Sequence, residues 1–304
     1  MEKAEDIVLF ERSIPEIKSE TTGGAMAESS ILYVGAGSLA HQVAALLPRW
    51  HGWALRRSAG SVSRGLQLLQ ADVTDAACPA GWPQSCPDYV LITLVPAART
   101  AAAYRQAYVE GVRNVLAWLQ QHGQRPRRIL FASSVGVYGQ SGGQWVDEQS
   151  VTHPERWSGR VMLEAEQLLS ASGLPVTMVR LAGIYGGVRR GFLERVRQGY
   201  HTGGNLNRYT NRIHEADAAG LLAHLLRLDA AGTPLAPVYV GVDDEPVEQD
   251  EVVRWLQQQM KVSGDPQLLL NPAGSSKRCS NRLARSTGWV PRYAGYKDGY
   301  AGML

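Results

Sequence analysis

From residue 31 onward, short and wholly apolar runs alternate with longer stretches in which apolar side chains return every three or four positions. Ile31-Leu32-Tyr33-Val34 is continuous and ends in glycine, as a strand buried on both faces does. Residues 39–47 carry an apolar helical face. Short strands are read at 53–55, 66–69, 89–94, 128–132 and 176–179. Helices are read at 97–122, where Val112, Val115, Leu116 and Leu119 fall at helical spacing, and at 160–172, where Gly173 marks the stop. This succession predicts an α/β fold, a doubly wound parallel Rossmann sheet over 30–180 with right-handed crossovers.

Past Arg180 the pattern loosens. Gly and Asn gather between Gly199 and Asn211, and helices near 215–228 and 248–260 bracket a strand at 238–240. Residues 181–304 are therefore read as a smaller C-terminal substrate lobe, some of whose strands and helices return to the Rossmann core. Residues 1–29 mix charges with Pro15 and a Thr-Thr-Gly-Gly run. They are read as a flexible N-terminal extension, or as sequence upstream of a start at Met26.

Composition narrows the function class. The formal charge of the 304 residues is +3, which does not suit a nucleic-acid partner. The first 25 residues set Lys3, Arg12 and Lys18 against six carboxylates, so the remainder stands at +6, a mild bias toward an anionic small molecule. Cys78, Cys86 and Cys279 have no metal-ligand spacing, and their odd number argues against a disulfide framework. No metal site is expected, and a reducing cytoplasm is. There is no apolar run of spanning length and no signal-peptide layout, so no membrane partner is expected.

Gly35-Ala36-Gly37-Ser38-Leu39-Ala40 follows the first strand and opens the first helix. Gly35 permits the tight turn, Gly37 lets backbone approach a pyrophosphate, and Ala40 keeps helix close to strand. The amides at Ser38 and Leu39 then face the phosphates from the helix N-terminus. An acidic residue that would hold the ribose hydroxyl of NAD is missing at the end of the second strand, where Arg56-Arg57-Ser58 stands instead. Guanidinium forks suit a 2′-phosphate, so NADP is expected, with NAD as the alternative. Asp72 and Val73 are placed beside the adenine, and Leu94 and Ser133, at the ends of two further strands, against the cofactor. Arginines that merely face solvent and an ordinary turn aspartate are the alternative readings of these positions, and for Asp72 the two stand about equal.

Read together, a series of segments in order resembles the extended short-chain dehydrogenase/reductases, the NAD-dependent epimerase/dehydratase family. They are the Gly-rich turn, Asp72-Val73-Thr74-Asp75, Gly111 to Leu116, Ser133 to Gly139, Val146-Asp147-Glu148, Leu163 to Glu166, Arg180 to Gly186, Asn211 to Asp217, and Lys277 to Asn281 with Gly288-Trp289. The resemblance covers about residues 31–304. It implies that Ser134 hydrogen-bonds the reacting oxygen. It also implies a Tyr-x-x-x-Lys pair one helical turn apart, in which the Lys lowers the Tyr pKa for proton exchange. Here Ser158 stands where Tyr belongs and Met162 where Lys belongs. A Ser hydroxyl ionises far less readily than a phenol, and Met carries no charge. The standard relay is absent, which places the chain among atypical members.

Tyr138 and Tyr185 resemble residues that line the family's cleft, with Tyr185 or water left to move the proton; packing is the plainer reading of Tyr138. Arg208, Arg212 and His214 sit where relatives close on substrate, and the arginines suit an anionic group such as a nucleotide diphosphate; for His214 a satisfied, partly buried ring is the plainer reading. Two functions follow. One is an NADP-dependent oxidoreductase or epimerase with non-standard groups, acting on a small substrate of nucleotide-sugar type. The other is a non-catalytic NADP(H)-binding redox sensor or scaffold. The resemblance further implies a homodimer packed through the 97–122 and 160–172 helices.

Overall fold

The computed structural model of the protein describes residues 28–203, 208–270 and 275–304. All but the last two residues of the expected 1–29 extension lie outside the described residues, as do Asn205 to Asn207 of the loop expected to close on substrate.

The chain enters through β1 (Ser30–Val34), α1 (Ser38–Leu46), β2 (His51–Arg56), β3 (Leu66–Gln70) and β4 (Tyr89–Ile92). A long helical passage follows: α2 (Ala101–Tyr104), a π-helical segment (Arg105–Glu110) and α3 (Gly111–Gln121). Then come β5 (Arg128–Ser134), β6 (Gln144–Val146), α4 (Trp157–Ser170), β7 (Val176–Leu181), β8 (Gly183–Tyr185), α5 (Gly191–Arg197), β9 (Tyr209–Thr210), β10 (Arg212–His214) and α6 (Glu215–Ala230). The last part holds β11 (Val238–Gly241), β12 (Val247–Glu248), α7 (Gln249–Met260), β13 (Lys277–Cys279), α8 (Arg282–Ser286) and α9 (Tyr296–Ala301).

Seven strands form one parallel sheet in the order β11-β7-β5-β4-β1-β2-β3. Along β1, Ile31 and Tyr33 enter one core layer while Leu32 and Val34 enter the other; in β4, Tyr89 and Leu91 divide from Val90 and Ile92 in the same way. That is the period-two alternation of a strand covered on both faces, and it explains why these runs read as continuously apolar. On one face α1 packs with α6; on the other lie α3 and α4. The strand at 238–240 returns to the edge of the sheet beside β7. A third cluster, built on Tyr185, Leu193, Val252, Leu256, Tyr296 and Tyr300, holds the C-terminal elements together.

The long helix starts later than its apolar pattern suggests. Pro96 lies ahead of it, and Thr100 closes the first turn by accepting from the Ala103 amide at 3.2 Å, so the helix begins at Ala101. The order of strands reverses between β1 and β4, so their carboxyl ends part and leave a crevice.

Candidate active site

The crevice opens at the turn after β1. Gly35 holds φ +79°, and a Cβ there would come within 3.0 Å of the Leu94 backbone. A side chain at Gly37, by contrast, would meet only the Gly35 carbonyl at 3.9 Å, so its open side faces the crevice. Gly37 also caps α1 without any side-chain hydrogen bond, which leaves the amides of that first turn for a ligand.

One arm of the crevice, about 490 Å³, is lined by Gly35, Gly37, Arg56, Arg57, Asp72, Val73 and Leu94, among others. Arg56 lies 3.3 Å from His41 Nε2 and donates to the Ser61 carbonyl at 2.9 Å; its Nε is buried with no partner. Burial, and then the Arg56 charge, hold the His41 pKa below its ordinary value. Arg57 is mostly exposed and stands 3.9 Å from Asp72. The neighbouring loop is fastened from the helix: Asn114 donates to the carbonyls of Val73 and Asp75, both at 3.0 Å. Gly111 lets the helix press close, since a Cβ there would reach Val73 at 3.1 Å. An orphaned guanidinium nitrogen and a glycine cradle fit a phosphorylated dinucleotide.

The second arm, about 470 Å³, shares Gly35, Gly37 and Leu94 with the first and continues past Ser38, Leu39, Ser133, Ser134, Ser158, Gly159 and Met162. Ser158 and Met162 therefore face the crevice together, one helical turn apart on α4. Gly159 brings that helix in: a Cβ would lie 2.2 Å from the Gly136 carbonyl and 2.7 Å from Pro154. Tyr104, Tyr108 and Arg189 also line this arm, and no sequence motif singles them out. Ser134 Oγ accepts from the Gly136 amide at 3.0 Å. The Ser133 hydroxyl turns inward and donates to Glu166 at 2.5 Å.

A neighbouring pocket of about 320 Å³ shares the lining residues Ser134, Gly136 and Ser158 with the second arm. It is lined as well by Tyr138, Glu155, Arg156, Arg208, Asn211 and Lys277. Arg208 thus lies at the site and donates to Gln249. Tyr138 lines the pocket, yet its ring is buried, and its hydroxyl accepts from Arg180 at 2.9 Å. Burial, opposed by Arg180, pushes its pKa up to about 12, so this phenol keeps its proton near neutrality.

Three expected site residues stand elsewhere. Tyr185, Arg212 and His214 are absent from the walls of the crevice and its pocket. The reason is the pairing of β8 with β10, which turns all three toward the C-terminal cluster. Tyr185 stacks on Tyr300 with ring centroids 4.5 Å apart, and burial raises its pKa well above the usual phenol range. Arg212 lies over Tyr296 and donates to Thr210 at 2.6 Å. His214 caps α6, its Nδ1 accepting from the Ala216 amide at 3.2 Å, and burial lowers its pKa. Among the described residues no group of three or more His, Cys, Asp or Glu could hold a metal, and no helix is long and apolar enough to cross a membrane.

The profile of the NAD dependent epimerase/dehydratase family matches residues 33–228. The chain belongs to that family. A solved member from Methylobacillus flagellatus, assigned to the NAD-dependent epimerase/dehydratases, is 32% identical. It superposes with a TM-score of 0.72 over 91% of this chain and 98% of its own. Protein YeeZ of Escherichia coli K12 is 35% identical over 152 residues, so the match spans 48% of this chain and about half (50%) of that relative. The UDP-glucose 4-epimerase of Thermus thermophilus, solved with NAD, shares the fold at 19% identity, with a TM-score of 0.69 over 89% of this chain and 96% of its own. The seven-stranded parallel sheet thus matches the fold of these solved epimerase structures.

Proposed function

We propose that the protein is an NADP-dependent oxidoreductase or epimerase acting on a small, anionic, nucleotide-sugar-like substrate in the cytoplasm, as a homodimer. The observation that carries this reading is the adjacency of three spaces that share lining residues. They extend from Arg56 and Arg57, past the Gly35–Gly37 turn, to Ser134, where a further pocket shares Ser134, Gly136 and Ser158. A binding protein that only sensed the cofactor would have no use for the last of these spaces. The nicotinamide, when bound, supplies or takes up a hydride. Arg56 and Arg57 would hold the 2′-phosphate. Ser134 would donate to the reacting oxygen. Residues 181–304 would close the substrate pocket, with Arg208 and Arg156 facing the anionic group.

One observation favours the second reading, a redox sensor or scaffold. Ser158 and Met162 occupy the helix face turned to the crevice, and neither moves a proton as Tyr and Lys do. A titration with NADPH and NADH, followed by tryptophan quenching, tests the cofactor. The wild type should prefer NADPH by roughly tenfold or more, and Arg56→Ala with Arg57→Ala should abolish the preference. Equal binding of both nucleotides would refute the NADP assignment, and binding of neither would refute the site. Turnover of NADPH with a carbonyl panel separates enzyme from sensor.

A further inference from the structure

We propose that Lys277, on β13, is the group that exchanges a proton with the substrate oxygen, in place of the relay lost at Ser158 and Met162. This deepens the reading of the crevice as a hydride-transfer site and rests on it.

Lys277 lines the pocket that Ser134 and Ser158 also line. Nζ donates to the Tyr138 carbonyl at 2.9 Å and to Ser275 Oγ at 2.6 Å. Those two acceptors use both N–H groups of a neutral amine. The remaining tetrahedral position is then a lone pair in the neutral form and an N–H in the charged form. Among the described residues no carboxylate comes within ion-pair distance of Nζ. Lys277 is nonetheless only 4% exposed. Burial depresses its pKa, which puts the amine closer to exchange at neutral pH. The groups facing it are Cys279 on its own strand and Glu155 and Arg156 ahead of α4. The Glu155 carboxylate favours the charged amine and Arg156 opposes it, while burial pushes the Cys279 thiol up to about 12 and keeps it uncharged. Tyr138 and Arg208 line the same pocket.

Residue choice points the same way. The chain has 26 arginines and only 5 lysines. A site that needed a fixed positive charge would fall to arginine, which does not give up its proton. The backbone of Lys277 is also fastened on both sides. β13 pairs with β6, and the Asn211 amide donates to the Lys277 carbonyl at 2.9 Å while its oxygen accepts from the Cys279 amide at 2.7 Å. A merely structural lysine would hold Tyr138 in the same way, so the test must separate the two roles.

In the reducing direction the carbonyl carbon takes a hydride from the reduced nicotinamide. The carbonyl π pair moves onto oxygen, and that oxygen takes a proton from the Lys277 ammonium. Alcohol, oxidised cofactor and neutral amine result, and solvent returns the proton to the amine. Oxidation runs the same transfers in reverse.

Two measurements test the assignment. In the first, the full chain is labelled by reductive methylation with [13C]formaldehyde, and the lysine signals are titrated, with Lys277→Arg identifying the one that disappears. The Lys277 signal should titrate at least about one pH unit below the other lysines and shift when NADPH is added. A signal that titrates with the rest, or ignores NADPH, overturns the proposal whatever the activity. In the second, NADPH oxidation is followed with the carbonyl panel. Lys277→Arg should keep NADPH affinity within about twofold and lose turnover by roughly 100-fold or more; Lys277→Met should lose turnover alike. An arginine variant with wild-type turnover would overturn the assignment. Failure of the wild type to bind NADPH would instead sink the hydride-transfer reading on which this one stands.

Discussion

A single missing methyl group sets how close α4 can come to the crevice. At Gly159 an added Cβ would sit 2.2 Å from a backbone carbonyl, which cannot swing aside as a side chain could. Gly159→Ala is therefore expected to destabilise the protein by roughly 2–3 kcal/mol and to push Ser158 and Met162 away from Ser134. Chemical denaturation reads the first effect and NADPH titration the second. A variant as stable as wild type would show that the helix has slack the packing does not reveal. Residues with a local cause are the legible ones. Gly35 and Gly37 belong to one short turn whose purpose is visible from its neighbours. Lys277 is not legible as a site residue, because its partner Tyr138 lies 139 positions away and the two meet through the pairing of β13 with β6. The motifs around Tyr185, Arg212 and His214 point to the crevice. Nothing local signals that β8 and β10 pair and turn them aside.

At the level of elements, a buried ion pair ties α4 to the sheet. Glu166 on α4 receives Arg180 of β7 through two hydrogen bonds, at 3.0 and 2.7 Å, and the Ser133 hydroxyl of β5 through a third. Arg180 reaches on to the Tyr138 hydroxyl, so one network spans both carboxyl-end strands beneath the crevice. Both charged side chains are under a tenth exposed. Glu166→Ala would strand the guanidinium in the core, at a cost of about 3–5 kcal/mol. Glu166→Gln should cost less, because it keeps an acceptor. Equilibrium unfolding of the two variants checks the ranking, and an alanine variant within about 1 kcal/mol of wild type would contradict it. Periodicity predicts α1, α4, α6 and α7 within a few residues, since each has one apolar face against the core. It overruns the start of α2 because Ala97 and Ala98 carry no periodic signal of their own, and Pro96 and the Thr100 cap decide the matter. The π-helical turn at Arg105–Glu110 is illegible: its hydrogen-bond register leaves no mark on an apolar pattern.

Across the whole molecule, stability and pH meet at Asp243, just after the edge strand β11. The carboxylate is 2% exposed and one of its oxygens has no partner. Burial, opposed by Arg212, pushes its pKa up to about 7. Well below about pH 4 both folded and unfolded chains carry the proton, and the group contributes no penalty. Between about pH 4 and 7 the unfolded chain ionises while the folded one does not, so stability falls as pH rises. Above that window the full penalty is on the order of 4 kcal/mol. Asp243→Asn keeps the acceptor for the Glu245 amide and removes the titration. Melting temperatures from about pH 5 to 8 should fall more steeply for wild type than for this variant, and parallel curves would rule the carboxylate out. The sheet and its crevice are legible at this scale because alternating strands and helices leave few topologies open. How the C-terminal elements fill the far side is not, since it depends on pairings between short strands with little pattern of their own.

The lateness of β13 in the chain has a consequence for synthesis. Every strand that frames the glycine cradle has left the ribosome by Leu181, whereas Lys277 emerges almost a hundred residues afterwards. A nascent chain would therefore acquire a place for a dinucleotide well before it acquires the β13 lysine that lines the neighbouring pocket. On the proposed assignment, cofactor captured during translation would lack its proton donor until β13 arrived.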